Sequence, residues 1–172
     1  MTVSRRHILQ IGGGLALAGL AQPLRPLADE PIEIWMQGNA DGSHVWFDPV
    51  GLRIKSGQTI RWINLDPGNS HTATAYHPQN FEHALRIPKN ATPWNSDYLL
   101  PNESFSVTLD AEGIYDFFCV PHEHAGMVGR IIVGRPVNSP ADEASSLDIS
   151  EAARFAFPSV EEIMNRGIVR RI

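Results

Sequence analysis

Cysteine is almost missing from this 172-residue chain; Cys119 is the only one. No internal disulfide can form, and a lone thiol in an oxidising compartment is either a liability or a metal ligand. Long apolar runs are missing too. The stretch from Ile8 to Ala21 is broken by Gly12, Gly13 and Gly14 and lasts about 14 residues, short of the roughly 20 that span a bilayer. Those glycines follow no strand and lack the spacing of a phosphate loop. Basic residues are few, 14 against 19 acidic ones, for a formal charge of −5. That balance argues against nucleic acid and suits a basic protein partner. There are four methionines, Met1 among them, and one His-x-His pair, His122-Glu123-His124. Neither a methionine-rich tract nor a series of His-x-His pairs is present, and no internal repeat or low-complexity segment appears.

What is present begins with an address. Ser4-Arg5-Arg6-His7-Ile8-Leu9 followed by small apolar residues has the pattern of a twin-arginine export signal. Residues 1–28 are expected to be this signal, with Gly19-Leu20-Ala21 and Pro26-Leu27-Ala28 both offering cleavage sites. The protein is then periplasmic or otherwise exported, touching membrane only by transient docking or through an uncleaved signal. Removing 1–28 takes away Arg5, Arg6 and Arg25 and no acid, so the charge becomes about −8. About 144 residues remain, enough for one domain with its own core.

The body from 29 to 135 reads as β-rich. Ile32–Gln37 and Ser104–Leu109 alternate apolar and polar residues, and Val50–Ile54, Thr59–Leu65, Ile114–Val120 and Val128–Val133 are strand-like. Short strands separated by turns such as Lys55-Ser56-Gly57 predict an antiparallel sandwich or barrel. Residues 76–103 break the rhythm with Pro78, Pro88, Pro93 and Pro101. A loop of that length is expected to be functional or to pack on its own apolar residues. The extension 136–172 turns to Ser, Asp, Glu and Ala. Ser150 is placed to cap a helix through Phe155, and Ser159-Val160-Glu161-Glu162 resembles a capping box, with Gly167 as a stop. This tail is expected to pack on the sandwich or on a second copy, leaving monomer and dimer open.

The chemistry lies in CVPHEHAGM. Cys119 stands three residues before His122 and eight before Met127, and His71 lies upstream in NSHTAT. One thiolate, two imidazoles and a thioether form the donor set of a mononuclear copper electron-transfer site. Three donors on one loop fix local geometry, and His71 ties that loop to the rest of the domain. Phe117 and Phe118 are placed to keep water out. The turn Asp66-Pro67-Gly68-Asn69 is expected to deliver His71 and to carry no chemistry of its own.

The segments FDPVGLRIKSGQTIRWINLD and GIYDFFCVPHEHAGMVGRIIV resemble the plastocyanin and pseudoazurin branch of the cupredoxins. The resemblance runs from about Ile32 to Gly134, minus the insertion at about 76–103. It implies a Greek-key β-sandwich and one copper per chain held by His71, Cys119, His122 and Met127. It also implies single-electron shuttling between larger redox proteins, and no catalysis. Two departures stand out: Thr72 follows His71 where the family usually has Asn, and His124 occupies a place that is usually small.

Other assignments compete. His124 offers a five-residue spacing from Cys119 and is the alternative to His122 as ligand. His77 and His83 in the insertion, with Glu82 or His124, are candidates for a second metal, which would favour a redox enzyme. Copper storage, delivery or sensing is a third function, favoured by exchangeable, exposed donors. His44 is expected to be structural or exposed.

Overall fold

The computed structural model describes residues 30–135 and 149–170. The expected export signal at 1–28 and residues 136–148 of the extension lie outside the described residues.

Among the described residues, nine strands form two sheets. In order they are β1 (Ile32–Gly38), β2 (Val45–Asp48), β3 (Gly51–Ile54), β4 (Gln58–Asn64), β5 (Thr74–Ala75), β6 (Ser104–Leu109), β7 (Gly113–Phe118), β8 (Val128–Val133) and β9 (Ile168–Val169). A 3-10 helix, Val120–Ala125, separates β7 from β8, and two short helices, α1 (Glu151–Ala156) and α2 (Val160–Arg166), precede β9. The first sheet runs β2-β1-β4-β6 and the second β5-β7-β8-β3-β9. Their inner faces make one core. Ile34 and Met36 of β1 and Ile60 and Trp62 of β4 meet Tyr115 and Phe117 of β7.

The sandwich is as expected, but it is not wholly antiparallel. β1 pairs with β4 in parallel, Ile34 opposite Trp62, and β3 pairs with β8 in parallel, Leu52 opposite Ile131. Both partners come from distant stretches of chain, as parallel strands must, since a tight hairpin can join only antiparallel neighbours. Spacing of short strands is silent about this order.

Strand β7 is buried on both faces, and its one charged residue, Asp116, is buried with the rest. Tyr115 and Phe117 face the main core, while Ile114 and Phe118 face outward into two further clusters. The extension covers that outer face. Ile163 and Val169 pack on Ile114 and Ile132, and Ile149 and Ala153 pack on Phe118, Tyr76 and Val128. With both faces covered, β7 does not alternate apolar residues with solvent-facing polar ones. Both expected caps form: Ser150 Oγ accepts from the Ala153 N–H at 3.1 Å, and Ser159 Oγ from the Glu162 N–H at 3.0 Å. Glu162 itself turns to Arg166 (2.6 Å).

The insertion has its own packing. Tyr76, Ile87, Trp94 and Leu99 are buried. The Tyr76 N–H donates to Asp116 O and the Asp116 N–H to Arg86 O, so the insertion extends the edge of β7. The buried Asp116 carboxylate pairs with Arg86 (2.8 Å) and Arg130 (2.7 Å), and both guanidiniums lie against the Phe157 ring. Insertion, sandwich and extension are joined at that point.

Candidate metal centre

The centre lies where the end of β7 and the segment entering β5 meet. Cys119 directly follows β7, so the strand register fixes its position. Its N–H donates to Met127 O (3.0 Å), the His122 N–H to Cys119 O (3.0 Å) and the Met127 N–H to His122 O (3.1 Å). The backbones of these three residues therefore close one compact loop. Pro121 lies in the first turn of the 3-10 helix and Gly126 ends it at φ 81, a left-handed conformation that suits glycine. A side chain at Gly126 would also press on Ala152 and Ala156 of α1.

His71 enters from the other side. Its N–H donates to Leu99 O (3.2 Å) and the Leu99 N–H to His71 O (2.8 Å), so the insertion pins its backbone. The next residue, Thr72, binds the loop directly. Its N–H donates to Cys119 Sγ (3.3 Å) and its Oγ1 accepts from the Val120 N–H (2.8 Å). Thr72 Oγ1 also meets Thr74 Oγ1 at 3.0 Å, and Thr74 donates on to Asn95 Oδ1. Thr72 thus links the His71 segment to the cysteine loop.

Three donor atoms converge. His71 Nδ1 lies 3.1 Å from His122 Nδ1 and 3.6 Å from Cys119 Sγ, and His122 Nδ1 lies 3.4 Å from the same sulfur. A triangle of that size suits bonds of about 2.0 Å to imidazole nitrogen and about 2.3 Å to thiolate sulfur around one ion. Among the described residues this is the only such group of three from His, Cys, Asp and Glu. Met127 is fully buried in the same core cluster as Cys119. His71 and Cys119 are sealed from solvent, and His122 is half-buried. The residues present fit a soft, one-electron metal such as copper.

Electrostatics prepare the donors. Burial lowers the basicity of His71, opposed by Asp66, and burial together with His71 lowers that of His122. Neutral imidazoles are the form that binds metal. Burial pushes the metal-free Cys119 thiol up to about 11, with the Thr72 N–H pulling the other way.

The remaining candidates fall outside the triangle. His124 is exposed. His77 Nδ1 accepts from the Gln79 N–H, and His83 sits between Tyr76 and Phe118 with Glu123 at 3.5 Å. His44 stacks on Trp46. Among the described residues His77, His83, Glu82 and His124 form no second group.

One reading needs correction. Asp66 does more than shape a turn, because its Oδ2 lies 3.0 Å from His71 Nε2, behind the donor triangle. A turn motif signals backbone geometry and leaves open what its carboxylate touches. The signal available was proximity in sequence to a histidine five residues on.

The profile of the family described as "Copper binding proteins, plastocyanin/azurin family" matches residues 34–134. The chain belongs to this family. Within it, the chain is 37% identical over 125 residues to chloroplastic plastocyanin of Chlamydomonas reinhardtii, covering 70% of this chain and 77% of that protein. It is 31% identical over 122 residues to pseudoazurin of Methylorubrum extorquens, covering 70% and 72%. In fold, this plastocyanin/azurin-family chain is similar to a solved pseudoazurin from Sinorhizobium, with a TM-score of 0.56 and 24% identity over 78% of this chain and 98% of that one.

Proposed function

We propose that this chain is an exported carrier of single electrons between redox proteins, holding one copper through His71, Cys119, His122 and Met127. The observation that carries the reading is the convergence of two imidazole nitrogens and one thiol sulfur within 3.1–3.6 Å of one another beside a buried methionine. Copper would supply a one-electron couple there, held by the Cys119 sulfur, the His71 and His122 imidazoles and the Met127 thioether.

The chain's own residues supply rigidity and access. His71 is pinned by Leu99, the Cys119 sulfur accepts the Thr72 N–H, and the three loop donors share backbone hydrogen bonds. A donor set held this way resists rearrangement, which is what rapid exchange of an electron needs. All four proposed ligand positions belong to the protein, so no coordination place is kept for substrate, in contrast to a catalytic metal site. That supports carrier over enzyme. Burial of His71, Cys119 and Met127 supports carrier over delivery protein, because hidden donors exchange slowly. The half-buried His122 is the assigned exit for the electron, with exposed Pro121 beside it.

Export through the twin-arginine pathway rests on the pattern at residues 4–9. Among the described residues, no helix is long and apolar enough to cross a membrane.

The test is a Cu(II) titration of the purified chain, followed by visible and electron-spin spectra with metal counted per chain. One copper, strong thiolate-to-metal absorption and narrow hyperfine splitting are expected. Cys119→Ser abolishes the colour and His124→Ala leaves it nearly intact. Bleaching by His124→Ala would transfer the ligand role from His122 to His124. A weak spectrum, or more than one metal per chain, would overturn the carrier assignment.

A further inference from the structure

We propose that Asp66 is a positioning residue for the redox centre: its buried carboxylate locks His71 with Nδ1 turned to Cys119 and His122, and its charge favours the oxidised metal. The inference rests on the carrier reading above and adds a residue to it.

The His71 ring offers two nitrogens, and each has its own partner. His71 Nε2 lies 3.0 Å from Asp66 Oδ2, while Nδ1 faces His122 Nδ1 at 3.1 Å and Cys119 Sγ at 3.6 Å. A carboxylate accepts hydrogen bonds and donates none. The proton therefore sits on Nε2 and the Nδ1 lone pair is free for the metal. The partner of one ring nitrogen decides what the other can do.

Asp66 is itself held in place. It is 2% exposed. Oδ1 accepts the Gly68 N–H (2.8 Å), and Oδ2 accepts the Asn69 side-chain amide (2.9 Å) as well as His71. The Asp66 N–H donates to Asn64 Oδ1, and Asn64 Nδ2 donates to Asn69 O and Leu99 O. Leu99 is the residue that pairs with the His71 backbone. The cradle thus fixes both ends of the histidine. Gly38 leaves the space for it: a Cβ there would overlap the Asp66 carboxylate.

A buried negative charge one imidazole away from the metal stabilises the state with more positive charge. Oxidised copper carries one unit more than reduced copper, so the carboxylate lowers the reduction potential. Water would screen this at the surface and does so far less in a buried position.

The experiment compares copper-loaded wild type with Asp66→Asn and Asn69→Ala, reading the reduction potential at pH 7. Asp66→Asn removes the charge, whereas Asn69→Ala removes one hydrogen bond of the turn and keeps the charge. Asp66→Asn is expected to shift the preference towards the reduced state by about tenfold, which is about 59 mV for a one-electron couple. Asn69→Ala should shift it less than a third as far. Equal shifts in the two variants, or none in Asp66→Asn, would overturn the role. Nitrogen-15 NMR of the wild-type Cu(I) protein tests the orientation without any variant. A slowly exchanging His71 Nε2–H is expected, and a proton on Nδ1 would overturn the proposal. If wild type takes up no copper with strong thiolate absorption, the carrier reading falls and this inference with it. If wild type passes and Asp66→Asn is silent, only Asp66 loses its role.

Discussion

Cys119 must lose a proton before it can act as a thiolate. In the metal-free chain burial pushes its thiol up to about 11, so at pH 7 the sulfur is protonated. His71 and His122 have lowered basicity and enter neutral. Metal uptake therefore displaces the cysteine proton and none from the imidazoles. Adding Cu(II) to weakly buffered protein at pH 7 should release close to one proton per copper, read with an indicator dye. The apparent affinity should fall about tenfold for each pH unit lowered, because the proton competes for the same sulfur. Release near zero would mean that the thiol is already ionised. Three of the proposed ligands were legible in sequence because Cys119, His122 and Met127 share one short loop, where spacing carries geometry. His71 was legible through the strands that flank it. Asp66 was read only as a turn, because its role depends on which ring nitrogen faces it, and sequence does not encode that separately.

At the scale of elements, the extension is part of the centre's support. Helix α1 lies against the 3-10 turn, and Ser150 Oγ, which caps the helix, also donates to Glu123 O at 3.2 Å between His122 and His124. Ser159 caps α2 in the same way, and no bond from its hydroxyl to the ligand loop is seen among the described residues. The two caps make a matched pair. Ser159→Ala should cost about 1 kcal/mol, the usual worth of a cap. Ser150→Ala should cost that and a further 0.5–1.5 kcal/mol or so for the lost hydrogen bond to the loop. Urea midpoints with an unchanged denaturant slope would measure the difference. Equal losses would mean that the loop contact adds nothing. Both caps were readable, since a serine before an apolar-periodic stretch has a local cause. The parallel pairing of β1 with β4 was not, because it depends on chain order across the whole sandwich. Strand β2 was also missed, as VWFD is only 4 residues long and ends at Asp48-Pro49.

At the scale of the molecule, charge and access decide which partner is met. The whole chain carries −5, or about −8 without residues 1–28. The assigned exit, His122, is bordered by Pro121, and exposed Leu65, Tyr98 and Leu100 lie in the segments flanking His71 and its partner Leu99. Leu65 follows Asn64, whose side chain binds Leu99 O, and Leu100 follows Leu99 itself. These apolar residues offer short-range contact, while the net charge acts at longer range. An acidic protein attracts a cationic partner over about 10 Å at 0.1 M salt and over about 30 Å at 0.01 M. Stopped-flow oxidation by a small cationic complex should therefore slow as salt rises from 0.01 to 0.5 M. Oxidation by an anionic complex of similar potential should speed up over the same range. Similar potentials matter, because they leave the driving force equal and isolate the encounter. A rate that ignores salt with both reagents would place the acidic groups too far from His122 to steer. A reversed pair of slopes would mean that the electron leaves through a locally basic face, and the exit at His122 would have to be reassigned.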